Sequence, residues 1–351
     1  MEQKVHFGTG ILSFLGLLVL ILDAKTALSG AQSGISLCLN SVIPSLFPFF
    51  IVTSLARSIF LGKTIRILRP ISRLCGIPEG AESLMLLGFL GGYPVGAQGI
   101  HDAYRYGAIS KHDAKRMLGF CNNAGPAFLF GMLGSLFTTG TTIWIIWGIH
   151  ILTAIIVGLI LPNKQASICV LPKHDAPSLP TCVENSIKNM TLVCAWVIIF
   201  RVIIAFLEHW ILWYFPPEWR ALMAGVLELT NGCHALTGIT KEGTRFVLSA
   251  TFLGFGGLCV AMQTASITKE SGTGLYFPGK LLQGTFSFLI SCTTQHFLFP
   301  RSEVFEVAPI FQTLVTVVVG AFWLIHFIKK KNLAFLDKIM YNNKKQLKTR
   351  V

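Results

Sequence analysis

Charge is scarce in this 351-residue chain: Asp, Glu, Lys and Arg together make up 13% of it, with 16 acidic residues against 29 basic ones. Soluble domains carry about a quarter of their residues as charges. With 52% hydrophobic residues and a mean hydropathy of +0.63, the chain falls in the polytopic membrane class. Paired cysteine motifs are also missing. The nine cysteines (38, 75, 121, 169, 182, 194, 233, 259, 292) form no Cys-x-x-Cys pair and sit mostly in or beside apolar stretches, so they read as small core residues and not as disulfides or a metal site. Nor is there an ATP-binding P-loop, a His/Asp/Glu cluster or a Ser/His/Asp set, which leaves no basis for an enzyme, a metal or a cofactor. The net charge of +13 would suggest nucleic acid in a soluble protein. Here it lies in loops and the tail, where the positive-inside rule accounts for it, so the expected surroundings are a lipid bilayer and no nucleic acid.

Apolar runs set the order of the chain. Residues 8–22 follow Lys4 and read either as a signal-peptide core or as an uncleaved first helix; the second is expected, since Asp23 and Lys25 come next without a small-residue cleavage site. Crossings are expected at 42–61, 142–161, 190–214, 246–266, 276–299 and 307–328. Loops with Lys63, Arg66, Arg69 and Arg73, and with Arg105, Lys111, Lys115 and Arg116, both belong in the cytoplasm. Two cytoplasmic loops cannot flank a single crossing, so 82–100 is predicted to be a re-entrant hairpin turning near Tyr93-Pro94. Ser110-x-x-Asp113 marks the start of the next helix, which is predicted to run on through an Asn122–Pro126 break to about residue 137. The Pro-rich stretch 162–189 reads as the linker between halves, and the eight Lys/Arg residues from 329 onward place the tail in the cytoplasm with the N-terminus.

The breaks recur. Gly88–Gly96 is followed by Cys121–Pro126 in the first half, and Glu228–Gly232 by Gly254–Gly257 in the second. Glycine, proline and asparagine at membrane depth free backbone groups that lipid cannot satisfy, so such segments must be buried in protein or line a cavity. Matched interruptions in two halves point to a binding site near the bilayer midplane. The expected fold is therefore an all-α polytopic membrane protein of about eight transmembrane helices plus two re-entrant helical hairpins (82–100 and 220–239) in an inverted repeat. Its segments are 1–40 (first helix and linker), 41–161 (first repeat), 162–189 (linker), 190–328 (second repeat and last helix) and 329–351 (basic tail).

Four motifs in order carry a resemblance: Gly91-Gly92-Tyr93-Pro94-Val95-Gly96-Ala97, Phe120-Cys121-Asn122-Asn123-Ala124-Gly125-Pro126, Glu228-Leu229-Thr230-Asn231-Gly232, and the run from Phe255-Gly256-Gly257 to Gln263. Over roughly residues 40–328 the chain resembles the nucleoside-recognition (Gate) domain proteins, and most closely the sporulation integral membrane proteins of the YlbJ type. The resemblance implies a fold related to concentrative nucleoside transporters and to the membrane part of ferrous-iron uptake proteins. It also implies a role in spore-forming bacteria linked to the spore cortex, without a defined substrate.

The candidate site follows from the breaks: Gly92, Tyr93, Pro94, Asn122, Asn123, Gly125, Glu228, Thr230, Asn231, Gly256, Gly257 and Gln263. Gly88, Gly92 and Gly96 also fit close helix packing. Pro126 removes an N–H and frees carbonyls, which with the Asn122 and Asn123 amides could coordinate a cation or polar solute, or could satisfy the facing hairpin. Glu228 is either a buried carboxylate suited to proton or sodium coupling or a solvated tip residue, with Thr230 and Asn231 beside it. Gln263 would bond either a ligand or a neighbouring helix. Arg201 and Glu208 share a helix face and read as a structural ion pair, Lys280 is expected to snorkel to the interface, and His234 and His296 lack metal spacing. The functional expectation is a transporter or permease for a small polar solute, nucleoside-like or ionic. Its alternative is a non-transporting membrane protein that assembles spore layers through partners or as a homo-oligomer.

Overall fold

The computed structural model describes residues 2–60, 64–162 and 178–305, and these are helical with no strand. The expected crossing at 307–328, the tail from 329 and most of the stretch 162–189 lie outside the described residues.

Helix α1 (Glu2–Leu22) meets α2 (Ala24–Leu37) at Asp23, whose carboxylate accepts the Thr26 N–H at 3.3 Å as a helix cap. Residues after Asp23 are thus helical where the sequence suggested a linker. α2 continues through a π turn (Cys38–Val42) into α3 (Ile43–Phe60). The turn has a local cause. Pro44 has no N–H and its ring would strike the carbonyl of residue 40 in a regular helix, and a widened turn at that point removes the clash. Ser45 Oγ then donates to the carbonyls of Ser41 (2.7 Å) and Val42 (3.2 Å). A short helix α4 (Arg69–Leu74) precedes α5 (Glu82–Leu90) and α6 (Val95–Arg105), which pack on each other around a turn at Gly91–Pro94 with a cis Tyr93–Pro94 bond.

Ser110 caps α7 (Lys111–Met117) by accepting the Asp113 N–H at 3.1 Å, as the Ser-x-x-Asp spacing predicts. The helix does not run on to the Asn122–Pro126 break: residues 118–125 are non-helical. Helix resumes at α8 (Pro126–Phe128), which opens into a π turn (Leu129–Leu133) and a 3₁₀ turn (Gly134–Leu136). α9 (Gly140–Ile160) returns. α10 (Leu179–Trp210) starts well before residue 190, because Ser178 caps it and Pro180 suits its first turn. Arg201 and Glu208 pair within it at 2.9 Å.

In the second half α11 (Pro217–Leu227) and α12 (Leu229–Ala235) fold back on each other at Glu228. A Cβ on Gly232 would overlap Gly225, so only glycine lets these backbones meet. α13 (Glu242–Phe255) and α14 (Gly257–Ile267) are separated by Gly256 in the left-handed region at φ +80°, a conformation glycine adopts without penalty. α15 (Tyr276–Leu298) follows.

Among the described residues four helical stretches are long and apolar enough to cross a membrane: Ala24–Ala56, Gly140–Ile160, Leu179–Trp210 and Glu242–Ile267. The last differs from the others in being 72% buried within the protein, against 28–44% for the rest. It is also the one that is broken, which is where a membrane protein can tolerate freed backbone groups.

Candidate functional site

Glycines bring the breaks together. Cβ atoms on Gly88 and Gly96 would each run into the Cys121 carbonyl, so α5 and α6 close directly on the unwound 118–125 segment. At the tip of that hairpin Gly92 has φ +75°, and its Cβ would lie 3.0 Å from Gly125 N. On the other side a Cβ on Gly257 would lie 3.1 Å from Leu229 N, which sets the α13–α14 break against the α11–α12 tip. Tyr93 joins the two sides: its hydroxyl lies 2.8 Å from where a Gly256 Cβ would be.

Protein groups hold the asparagines of the unwound segment. Asn122 Oδ1 accepts Ala97 N–H at 3.0 Å and its amide donates to Thr264 Oγ1 at 3.1 Å. Asn123 donates from its backbone to Gly88 O at 3.3 Å and from its side chain to Phe120 O at 2.7 Å. Ala124 N–H donates to His150 Nε2 at 3.2 Å. Of the two readings open for Asn122 and Asn123, the geometry favours satisfaction of the facing elements.

Glu228 is buried, 2% exposed, and caps α12. Its Oε1 accepts the Thr230 N–H at 2.9 Å, and its Oε2 accepts the Asn231 N–H at 2.6 Å and the Asn231 side-chain amide at 2.7 Å. A carboxylate at a helix N-terminus meets amide donors with no partner within the helix, so the charge is held by its own half-helix. Thr230 and Asn231 belong to that cap, and the tip itself is Glu228.

Lys280 departs most from expectation. It does not snorkel: it is 1% exposed, and Nζ donates to Asn123 Oδ1 at 2.8 Å and to Gln283 Oε1 at 2.7 Å. The ammonium also lies 5.3 Å above the centre of the Tyr93 ring, a favourable cation–π position. No carboxylate among the described residues lies within ion-pair distance of it. Gln283 in turn donates to the His150 carbonyl at 3.1 Å. The reason is again a glycine. A Cβ on Gly279 would overlap Gly119, so α15 lies against the unwound segment and the next residue, Lys280, reaches into it. Lys280, Gln283 and His150 were all absent from the sequence-based site. The available signal was the pair Gly279 and Gly284 flanking a lysine in an apolar helix, which marks that face as buried.

Between these groups lies a cavity of about 30 Å³, lined by Gly92, Tyr93, Gly125, Glu228, Thr230 and Gln263, with valine and leucine side chains around them. Such a space holds a water or a bare ion; pockets for organic ligands run to hundreds of Å³. Pro94, Asn122, Asn123 and Asn231 do not line it, and Gly256 and Gly257 shape the break behind Tyr93. Gln263 is 3% exposed and its amide lies 3.3 Å from Cys259 Sγ on its own helix. Tyr93 thus stands between a buried acid and a buried amine, with Glu228 across the cavity and Lys280 over its ring. No group of His, Cys, Asp and Glu among the described residues is arranged to hold a metal ion.

No family model matches the chain, and no solved structure matches it. Among curated proteins, "Sporulation integral membrane protein YlbJ" of Bacillus subtilis (strain 168) is 23% identical over 313 residues, covering 75% of this chain and 76% of that protein. The similarity is distant but spans most of both chains. With the apolar helices, it supports a membrane location for this protein.

Proposed function

We propose that the protein is a permease for a small polar solute, acting in sporulation as the name of its distant relative suggests. In this reading the α5–α6 hairpin, the α7–α8 break and α9 answer the α11–α12 hairpin, the α13–α14 break and α15. The whole forms a Gate-like inverted repeat of eight crossings that exposes a central site alternately to each side. The observation that carries the proposal is a buried acid, Glu228, at a cavity built from interrupted helices, with a second buried ionisable group, Lys280, over the ring of Tyr93, which lines that cavity. Intramembrane ionisable groups are costly and mark solute or ion pathways. The cavity as seen admits an ion or a water, so an organic solute requires the hairpins to part from the breaks, and proton or sodium movement would be coupled at Glu228. The second reading, an assembly protein of the spore layers, draws on the protein partners that the side chains of Asn122 and Asn123 already have.

The test is a thermal-shift screen of detergent-purified protein and its Glu228→Gln and Lys280→Met variants against nucleosides, small carboxylates and inorganic ions, with and without sodium and at two pH values. A compound that stabilises the wild type but neither variant supports the permease, because a ligand that binds the native state raises apparent stability. If no compound shifts the wild type and both variants still support sporulation, the assembly reading replaces it.

A further inference from the structure

The segment leading into the first hairpin carries an unmatched surface. α4 is extended at its start by helical bonds from Leu68 and Arg69 N–H to Ile65 O (2.9 and 3.2 Å) and from Ser72 N–H to Leu68 O (2.9 Å), so 65–74 is one short helical stretch. Ile67, Ile71 and Leu74 fall on one face by their spacing, and they are 84%, 37% and 71% exposed. Arg66 and Arg73 are exposed beside them, and neither has an ion-pair partner among the described residues. Arg69 does the opposite: it turns inward to Glu82 (2.8 Å) and Glu79 (3.1 Å). Glu82 is fully buried at the start of α5.

Exposed aliphatic residues flanked by arginines with no ion-pair partner among the described residues fit neither water nor the bilayer core. They fit the boundary between acyl chains and headgroups, where apolar side chains sink and arginines meet phosphates. We infer that residues 65–74 form an interfacial anchor for anionic phospholipid, with Ile67, Ile71 and Leu74 in the acyl boundary and Arg66 and Arg73 on the headgroup phosphates. The segment follows directly from the membrane-crossing stretch that ends in α3, which places it at the membrane surface. Its Arg69–Glu82 pair ties it to the first hairpin, so bound lipid holds the base of an element that lines the central cavity. The inference rests on membrane location alone and stands whether or not the protein transports a solute.

Native mass spectrometry of the detergent-purified chain titrated with phosphatidylglycerol or phosphatidylcholine tests the headgroup contact. The wild type should prefer phosphatidylglycerol. Replacing both Arg66 and Arg73 by Gln should weaken that lipid roughly ten- to thirty-fold at an unchanged melting temperature, since each basic residue near an anionic surface contributes about a factor of five. Equal retention by the variant would overturn the assignment, as would a wild type without headgroup preference. An environment-sensitive fluorophore attached through Ile67→Cys in a Cys169→Ala, Cys194→Ala background tests the apolar face. In phosphatidylglycerol nanodiscs it should be shielded from aqueous iodide, and free quenching would refute the seating.

Discussion

Replacing Glu228 by Ala, Asp and Gln separates its role as a helix cap from any role toward solute. The carboxylate accepts two backbone N–H groups and one side-chain amide, all buried. Loss of a cap costs up to about 2 kcal/mol, and the orphaned Asn231 amide adds about 1 kcal/mol. Glu228→Ala should therefore lower stability by about 3 kcal/mol. In a protein of this size that corresponds to a fall on the order of 5 °C in apparent melting temperature. Asp is itself a preferred cap, so Glu228→Asp should recover most of the fall while drawing the carboxylate back from the cavity. Gln can present only one acceptor oxygen. Holding both Asn231 bonds, it must set its amide against the Thr230 N–H, so it should fall between the other two. In a Cys169→Ala, Cys194→Ala background a thiol-reactive dye that fluoresces on reaction reports unfolding directly, because the remaining cysteines are all buried. An alanine variant as stable as wild type, or an aspartate variant as unstable as the alanine one, would refute the capping argument. With the fold kept in Glu228→Asp, loss of solute-induced stabilisation would then report on the carboxylate's contact with the cavity.

Lys280→Met should change stability by no more than about 1 kcal/mol, because orphaning Asn123 Oδ1 and Gln283 Oε1 is offset by removing a buried ammonium; a fall of several kcal/mol in the same dye assay would contradict this. Gly88→Ala should lower the yield of folded protein severely, since its Cβ has no room beside Cys121, at a cost of about 3 kcal/mol. Gly99→Ala is the contrasting case: its Cβ would lie 3.5 Å from Leu84 Cδ2 in open contact, so it should raise stability by about 0.5–1 kcal/mol, and a decrease would mean that α6 packs differently. Topology is checked by labelling in intact cells: a probe on Lys111→Cys should react only from the cytoplasm and one on Lys241→Cys only from outside, and the reverse for either would sink the inverted repeat.

The helical breaks were legible because they are local chemistry. Glycine at positive φ, proline without an N–H and Ser110 as a cap act through their own residues, and the turns at Gly91–Pro94 and Gly256 fall where those residues stand. Glu228 was legible as a buried acid, but its partners were not, because a carboxylate in an apolar segment looks the same whether it faces a solute or caps the helix after it. Charge was the harder problem. Lys280 reads as a residue snorkelling to the interface and Arg116 as part of a cytoplasmic loop, yet Lys280 is buried and Arg116 is 2% exposed and donates to Gly158 O at 2.7 Å. What draws each inward is a neighbour distant in sequence, and no periodicity carries that information. The length of the unwinding after Met117 was missed for the same reason: its backbone groups find partners on α5 and α9, which hydropathy along a single segment does not show.

The widened turn at Cys38–Val42 bears on which changes of length the chain can tolerate. Gly30, Gly34, Cys38, Val42, Leu46 and Phe50 are all buried, at a strict interval of four. Each step of four advances about 40° beyond a full turn of a regular α-helix, so five steps would carry this row roughly 200° around the rod and out toward lipid. A turn closed by an i→i+5 bond, here Ile43 N–H to Cys38 O, accommodates one extra residue and takes back roughly 100° of that drift. Deleting any one residue of this turn would relax it to ordinary helix. Because the extra residue is the one removed, the two flanks would stay in phase, and Gly30, Gly34, Leu46 and Phe50 would keep their buried positions. A single-codon deletion should therefore be tolerated better within this turn than in the regular helix on either side, where it would swing one flank about 100° relative to the other.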